Sequence, residues 1–139
     1  MKIDGQAYRT IWVNDDGWSV SIIDQTVLPH RFEIARLETV DDAARAIKTM
    51  QVRGAPLIGA TAVYGLCLKL RDDTSDTALE AAIDYLAEQR PTAINLRWAL
   101  EEMRSTIRNV PREERVARAY RRAAEICDDD VETCRLIGV

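Results

Sequence analysis

The sequence predicts an α+β chain, with a small N-terminal antiparallel β-sheet followed by a helical bundle of about five helices. Two observations predict it. Residues 8–13, 18–23 and 31–37 form short runs rich in β-branched and aromatic side chains, separated by turn residues. From residue 39 onward the apolar residues recur at helical spacing instead. The change of period divides the chain into a sheet subdomain at 1–38 and a bundle at 39–139.

The first strand is read from YRTIWV (8–13) and the second from WSVSII (18–23). Between them Asn14-Asp15-Asp16-Gly17 is a turn signal, with a glycine free to take positive φ. In the second run Trp18, Val20 and Ile22 alternate with Ser19 and Ser21, the pattern of a half-buried strand. RFEIARL (31–37), after Pro29, supplies a third extended piece.

Thr39 is a good N-cap for the first helix, which runs to about Met50, and Asp41 and Asp42 suit its positive first turn. Ala43, Ala44, Ile47 and Met50 mark its buried side. A second helix spans about 56–70. A third spans about 75–88, with Leu79, Ala82, Ile83 and Leu86 as its stripe. The fourth begins at Thr92 as cap and aligns Leu96, Leu100, Met103 and Ile107. Pro111 opens the fifth, where Val116, Tyr120, Ala123, Cys127, Val131 and Cys134 keep helical spacing, although Asp128–Asp130 is a possible break. CRLIGV ends within an apolar periodic stretch, so a truncated chain, or one whose continuation was removed, is expected.

The 139 residues carry a formal net charge of −4, with 47% hydrophobic and 30% charged residues. That composition is globular and lacks the basic field that nonspecific nucleic-acid binding needs. No apolar run reaches the roughly 18 residues of a membrane span. MKIDGQAYRT has no apolar signal core, so a cytoplasmic protein is expected, with neither nucleic acid nor membrane as partner. Cys67, Cys127 and Cys134 form no CxxC pair and read as buried thiols of a reducing compartment.

The most informative stretch is VRGAPLIGATAVYGL (52–66). Pro56 suits a first helical turn because the N–H it lacks has no partner there anyway. Gly54 permits close approach of backbone to a ligand, and the amides of Leu57 and Ile58 fall among the unpaired donors of the helix start. Such an end attracts anions, and Arg53 adds a planar charged fork suited to phosphate or carboxylate. Arg90-Pro91-Thr92 repeats the arrangement. Two arginines ahead of two helix starts converge on one phosphate if the helices pack side by side, and the small residues 59–65 permit that packing. The competing interpretation is equally concrete: arginines before helices are solvated or paired with acids, and Gly/Ala runs are tight helix contacts. There is no GxxxxGK or GxGxxG.

Two charge-assisted arginine contacts contribute about 1.5–3 kcal/mol each and each helix end roughly 0.3–1 kcal/mol. A gross sum near 5 kcal/mol, before ordering costs, corresponds to about millimolar affinity, so the site positions a phosphate and other groups do the chemistry. Few such groups are present. His30 stands between extended pieces, Cys67 lies inside the apolar VYGLCLKL, and Cys127 and Cys134 sit two turns apart on one face. Asp72, Asp73 and Asp128–Asp130 occur in solvated runs; Asp24, beside Gln25 at a strand end, is the more interesting carboxylate. Trp12, Trp18 and Trp98 read as core or interface, and no His/Cys cluster has zinc spacing.

IIDQTVLP (22–29), VRGAPLIGATAVYGL (52–66), RPTAINLRWAL (90–100) and CRLIG (134–138) together resemble the methylthioribose-1-phosphate isomerases, a family grouped with regulatory subunits of translation initiation factor 2B and with ribose-1,5-bisphosphate isomerases. The resemblance spans nearly the whole chain and implies an N-terminal domain of sheet and helices, followed in the family by a larger Rossmann-like domain. It implies an aldose–ketose isomerisation of 5-methylthioribose 1-phosphate in methionine salvage, without a metal or organic cofactor. By resemblance the substrate contacts fall on Arg53, Gly54, Ala55 and Arg90. The family's catalytic cysteine and aspartate belong to the second domain, and none of Cys67, Cys127 or Cys134 sits in its cysteine motif. The chain is therefore expected to be inactive alone, to take a phosphorylated sugar, and to self-associate through apolar surface left uncovered. A ribose-1,5-bisphosphate isomerase and a noncatalytic regulatory subunit are the alternatives the same motifs leave open.

Overall fold

A computed structural model describes residues 2–3, 6–7, 11–23, 33–49, 52 and 55–138, with side chains described for 11–23, 33–49, 52 and 57–126. The architecture is α+β as expected. Lys2–Ile3 (β1) pairs antiparallel with Gln6–Ala7 (β2), a two-residue ladder too short to leave a periodic signal in the sequence. Ile11–Val13 (β3), Val20–Ile23 (β4) and Ile34–Leu37 (β5) form a three-stranded antiparallel sheet in the order β3-β4-β5. Its register sets Ile11 opposite Ile22 and Val13 opposite Val20, then Val20 opposite Leu37.

The β3–β4 turn forms at the expected place. Gly17 has φ 81°, its N–H donates to the Asn14 carbonyl at 3.0 Å, and the Asn14 N–H donates to the Ser19 carbonyl at 2.8 Å. One expectation is corrected here. β4 is not half-buried: all four of its residues are buried, and so is Ser19. The turn folds over the serine side. The Ser19 hydroxyl donates to Asp16 Oδ2 at 2.6 Å and the Ser21 hydroxyl donates to Asn14 Oδ1 at 2.9 Å. A polar residue at every second position thus marks a face covered by polar partners, which alternation alone cannot distinguish from a face in water.

Val40–Lys48 (α1) begins at Thr39 with a full capping box: the Asp42 N–H donates to Thr39 Oγ1 at 3.1 Å, and the Asp42 carboxylate accepts the Thr39 N–H at 3.2 Å. Ala55–Asp72 (α2) is the central helix, and residues 57–68 are all buried. A helix buried all round needs apolar or small residues on every side, which accounts for the composition of 57–68. Asp76–Glu88 (α3) is capped by Ser75, whose hydroxyl accepts the Ala78 N–H at 3.1 Å. Ile94–Ile107 (α4) and Arg115–Gly138 (α5) complete the bundle, and α1, α3, α4 and α5 all pack on α2.

Two boundary expectations change and one open alternative is decided. Thr92 does not cap α4; it lies inside a turn closed by the Ala93 N–H donating to the Arg90 carbonyl at 3.0 Å, and Ala93 takes the cap position. Pro111 opens a single 3-10 turn, Arg112–Glu114, before α5 begins. Asp128–Asp130 does not break α5, which runs through it. The inner sheet residues Ile11, Val20, Ile22 and Leu37 join the same core as the helices. Trp18 makes the junction: the Arg71 guanidinium at the end of α2 stands 3.9 Å from its ring centroid, and the Tyr120 hydroxyl of α5 donates to its carbonyl at 2.7 Å.

Candidate functional site

α2, α4 and α5 differ from α1 and α3 at their first turns. α1 carries Asp41 and Asp42 there, and α3 carries Asp76; α2, α4 and α5 carry no acidic residue. α4 also lacks a side-chain cap, because alanine stands at its cap position. The Arg97 N–H donates to the Ala93 carbonyl at 3.3 Å, so the amides of Ile94, Asn95 and Leu96 precede the helical ladder. The starts of α2 and α4 therefore keep their positive partial charge unneutralised by their own side chains.

The two starts also adjoin. Gly59, the fifth residue of α2, is buried against α4: a Cβ there would lie 3.3 Å from the Asn95 carbonyl oxygen and 3.5 Å from Ala99 Cβ. Asn95 is the second residue of α4. Gly65 opens a different face, where a Cβ would lie 2.7 Å from Ala43 Cβ of α1 and 3.3 Å from Leu86 Cδ2 of α3. The small residues of VRGAPLIGATAVYGL thus serve separate helix approaches, one of which brings the starts of α2 and α4 side by side.

The sequence-predicted site residues fall as follows. Arg53 and Gly54 lie outside the described residues. Ala55 is the first residue of α2. Arg90 is half-buried in the turn between α3 and α4, and no hydrogen bond or ion pair joins its side chain to another described residue. Of the other candidates, Asp24, Gln25 and His30 lie outside the described residues, as do the side chains of Cys127 and Cys134, while Cys67 is buried within α2. Among the described residues no helix is long and apolar enough to cross a membrane, and no group of three or more His, Cys, Asp or Glu side chains is placed to hold a metal.

Two exposed apolar residues stand beside the α4 start: Trp98, which the sequence reads as core or interface, and Ile94, which spacing does not single out. Ile94 is 80% and Trp98 51% exposed, one turn apart. Their signal is present in the sequence: both stand off the Leu96–Leu100–Met103–Ile107 stripe, four positions from each other. Groups with displaced proton affinities include Asp16 at the sheet turn and Tyr120 on α5. Hydrogen bonds from the Ser19 side chain and the Trp18 backbone hold the Asp16 carboxyl below its ordinary value, and burial pushes the Tyr120 phenol up.

The profile of the Initiation factor 2 subunit family matches residues 51–139, from just before Arg53 through the end of α5. The chain belongs to the initiation factor 2 subunit family. Within this family its sequence is 56% identical over 138 residues to a methylthioribose-1-phosphate isomerase of Rhodospirillum centenum, covering 99% of this chain and 37% of that protein. It is 59% identical over 139 residues to the enzyme of that name from Acidiphilium cryptum, covering 99% and 38% respectively. The crystal structure of 5-methylthioribose 1-phosphate isomerase from Pyrococcus horikoshii OT3 superposes with a TM-score of 0.82 at 35% identity, over 91% of this chain and 38% of that one. That of translation initiation factor eIF-2B, subunit delta, from A. fulgidus superposes with a TM-score of 0.81 at 34% identity, with the same coverage. The chain thus spans 37–38% of the length of these curated relatives, and the family resemblance carried by its RGAPLIG and RPTAINL segments is borne out.

Proposed function

We propose that this chain is the substrate-gripping N-terminal part of a methylthioribose-1-phosphate isomerase, with Arg53, Gly54, Ala55 and Arg90 holding the phosphate of 5-methylthioribose 1-phosphate. The observation that carries this reading is the 56–59% identity, over 99% of the chain, to proteins of that name. The adjoining, acid-free starts of α2 and α4 support the placement of an anion, since Arg53 precedes one start and Arg90 the other in sequence. The noncatalytic alternative has the A. fulgidus subunit behind it, but at 34% identity.

In the reaction, C2 loses its hydrogen and the proton of its hydroxyl, C1 gains hydrogen, and the ring oxygen takes up a proton as the furanose opens. The sugar is converted from aldose to ketose with no net oxidation. The arginines hold the phosphoryl group, so that its binding energy orients C1 and C2 for transfer. On this reading the hydrogen-moving and acid–base groups, the cysteine and aspartate that the family resemblance implies, are supplied from outside this chain. The protein works in the cytoplasm as a homo-oligomer, with exposed Ile94 and Trp98 as apolar contact surface.

Titration of the isotope-labelled chain with 5-methylthioribose 1-phosphate tests the grip. Amide resonances at the starts of α2 and α4 are expected to move with about millimolar affinity and no turnover. Arg53→Ala and Arg90→Ala are each expected to weaken binding by about tenfold. Absence of binding, or wild-type affinity in both variants, overturns the proposal.

A further inference from the structure

Glycine inside a helix is disfavoured relative to alanine, because it leaves the unfolded backbone freer and covers nothing. α2 nevertheless holds a buried glycine at position 59, in its second turn. An added methyl there would meet the carbonyl oxygen of Asn95 at 3.3 Å, closer than carbon and oxygen ordinarily approach without one of them moving. The obstacle is main chain, within the first turn of α4, so relief requires displacing that helix start rather than rotating a side chain. The second neighbour, Ala99 Cβ at 3.5 Å, stands at ordinary contact distance. The tight contact therefore falls within one turn or so of both helix starts and nowhere else along the α2–α4 seam at this glycine.

We infer that Gly59 is a positioning residue: it sets the spacing between the starts of α2 and α4, and through them the geometry with which the phosphate is held. The inference rests on the function proposed above and adds a residue that touches no substrate. Gly65 shows the contrast, since its close neighbours belong to α1 and α3 and bear on the fold alone.

The test measures binding of 5-methylthioribose 1-phosphate by the whole chain, alongside far-ultraviolet circular dichroism and thermal melting. Gly59→Ala is expected to raise Kd at least about threefold while keeping the helical spectrum, because small misplacements of positioning groups are amplified in binding and catalysis. In its ligand-free spectrum the amides of Asn95 and Leu96 are expected to shift. Leu68→Val trims a buried side chain half a helical rotation away from Gly59 on α2; it is expected to lower Tm and leave Kd unchanged. Ala99→Val crowds the same seam from the α4 side and is expected to weaken binding in the same direction, which keeps the inference testable should Gly59→Ala fail to fold. Wild-type-like Kd in the folded seam variants overturns the role of Gly59 and leaves the proposed function standing. A wild-type chain that does not bind the sugar phosphate removes the proposed function and this inference with it.

Discussion

Asp16 illustrates how much one exposed carboxylate can organise. Its Oδ1 accepts the Trp18 N–H at 3.0 Å and the Ser19 N–H at 2.9 Å, its Oδ2 accepts the Ser19 hydroxyl at 2.6 Å, and Arg36 Nη2 stands 2.8 Å from the same oxygen. All four contacts favour the ionised form, led by the Ser19 hydroxyl, so the carboxyl titrates below its ordinary 3.8. A depressed pKa gives stability that is fully present above 3.8 and lost as pH falls through the folded value. Thermal melting across acid pH is therefore expected to show wild-type Tm dropping below that pH, whereas Asp16→Asn starts lower at neutral pH and falls less steeply. Parallel pH profiles for the two proteins would remove the assignment. Arg90 is the opposite case, a half-buried residue whose side chain has no hydrogen bond or ion pair with another described residue.

Among the elements, those whose ends are written in side chains were legible. Thr39 and Ser75 cap α1 and α3 as their residue types require, and the stripes of α3 and α4 face the core. The start of α4 was misplaced because Pro91 and Thr92 suit a helix start and a turn equally well, and the Ala93–Arg90 main-chain bond that decides for the turn has no side-chain signature. The serine side of β4 was misjudged because its cover, Asn14 and Asp16, is itself polar. α2 was legible as a helix, but the destinations of its glycines were not, since they depend on which neighbour approaches. Gly65 makes the energetic point. Its missing Cβ would sit 2.7 Å from Ala43 Cβ and 3.3 Å from Leu86 Cδ2, so alanine must push α1 and α3 outward. Overpacking of this kind costs about 1–3 kcal/mol, and the helix-propensity gain of Gly→Ala returns about 1 kcal/mol. Gly65→Ala is expected to lower the urea midpoint with the slope preserved; an unchanged or raised midpoint would mean the α1–α2–α3 contact is softer than its distances imply.

At the scale of the whole molecule, the paired arginine-led helix starts were visible in the sequence as a repeat, whereas their proximity required the contact at Gly59 and Asn95, a relation between residues 36 positions apart that no local pattern encodes. A second long-range tie keeps α5 seated so that this arrangement persists. The Arg115 guanidinium, at 5% exposure, donates through Nε to the Val110 carbonyl at 3.0 Å, through Nη1 to the Thr74 carbonyl at 2.8 Å and through Nη2 to the Arg108 carbonyl at 3.3 Å. Its Nη2 also stands 2.7 Å from Asp76 Oδ1. One side chain thereby joins the α2–α3 connection, the end of α4 and the start of α5. Three carbonyls turned toward a buried arginine lose their partner together if the donors are removed, and burial keeps water from replacing them fully. Arg115→Met keeps the apolar stem and removes every donor, so it is expected to cost about 2–4 kcal/mol in urea unfolding. Asp76 is 73% exposed, and its ion pair is screened by solvent, so Asp76→Asn is expected to cost less than about 1 kcal/mol. The ordering carries the claim: equal losses in the two variants would place the stabilisation in the ion pair, and the carbonyl clamp would then contribute nothing to holding α5 against the rest of the bundle.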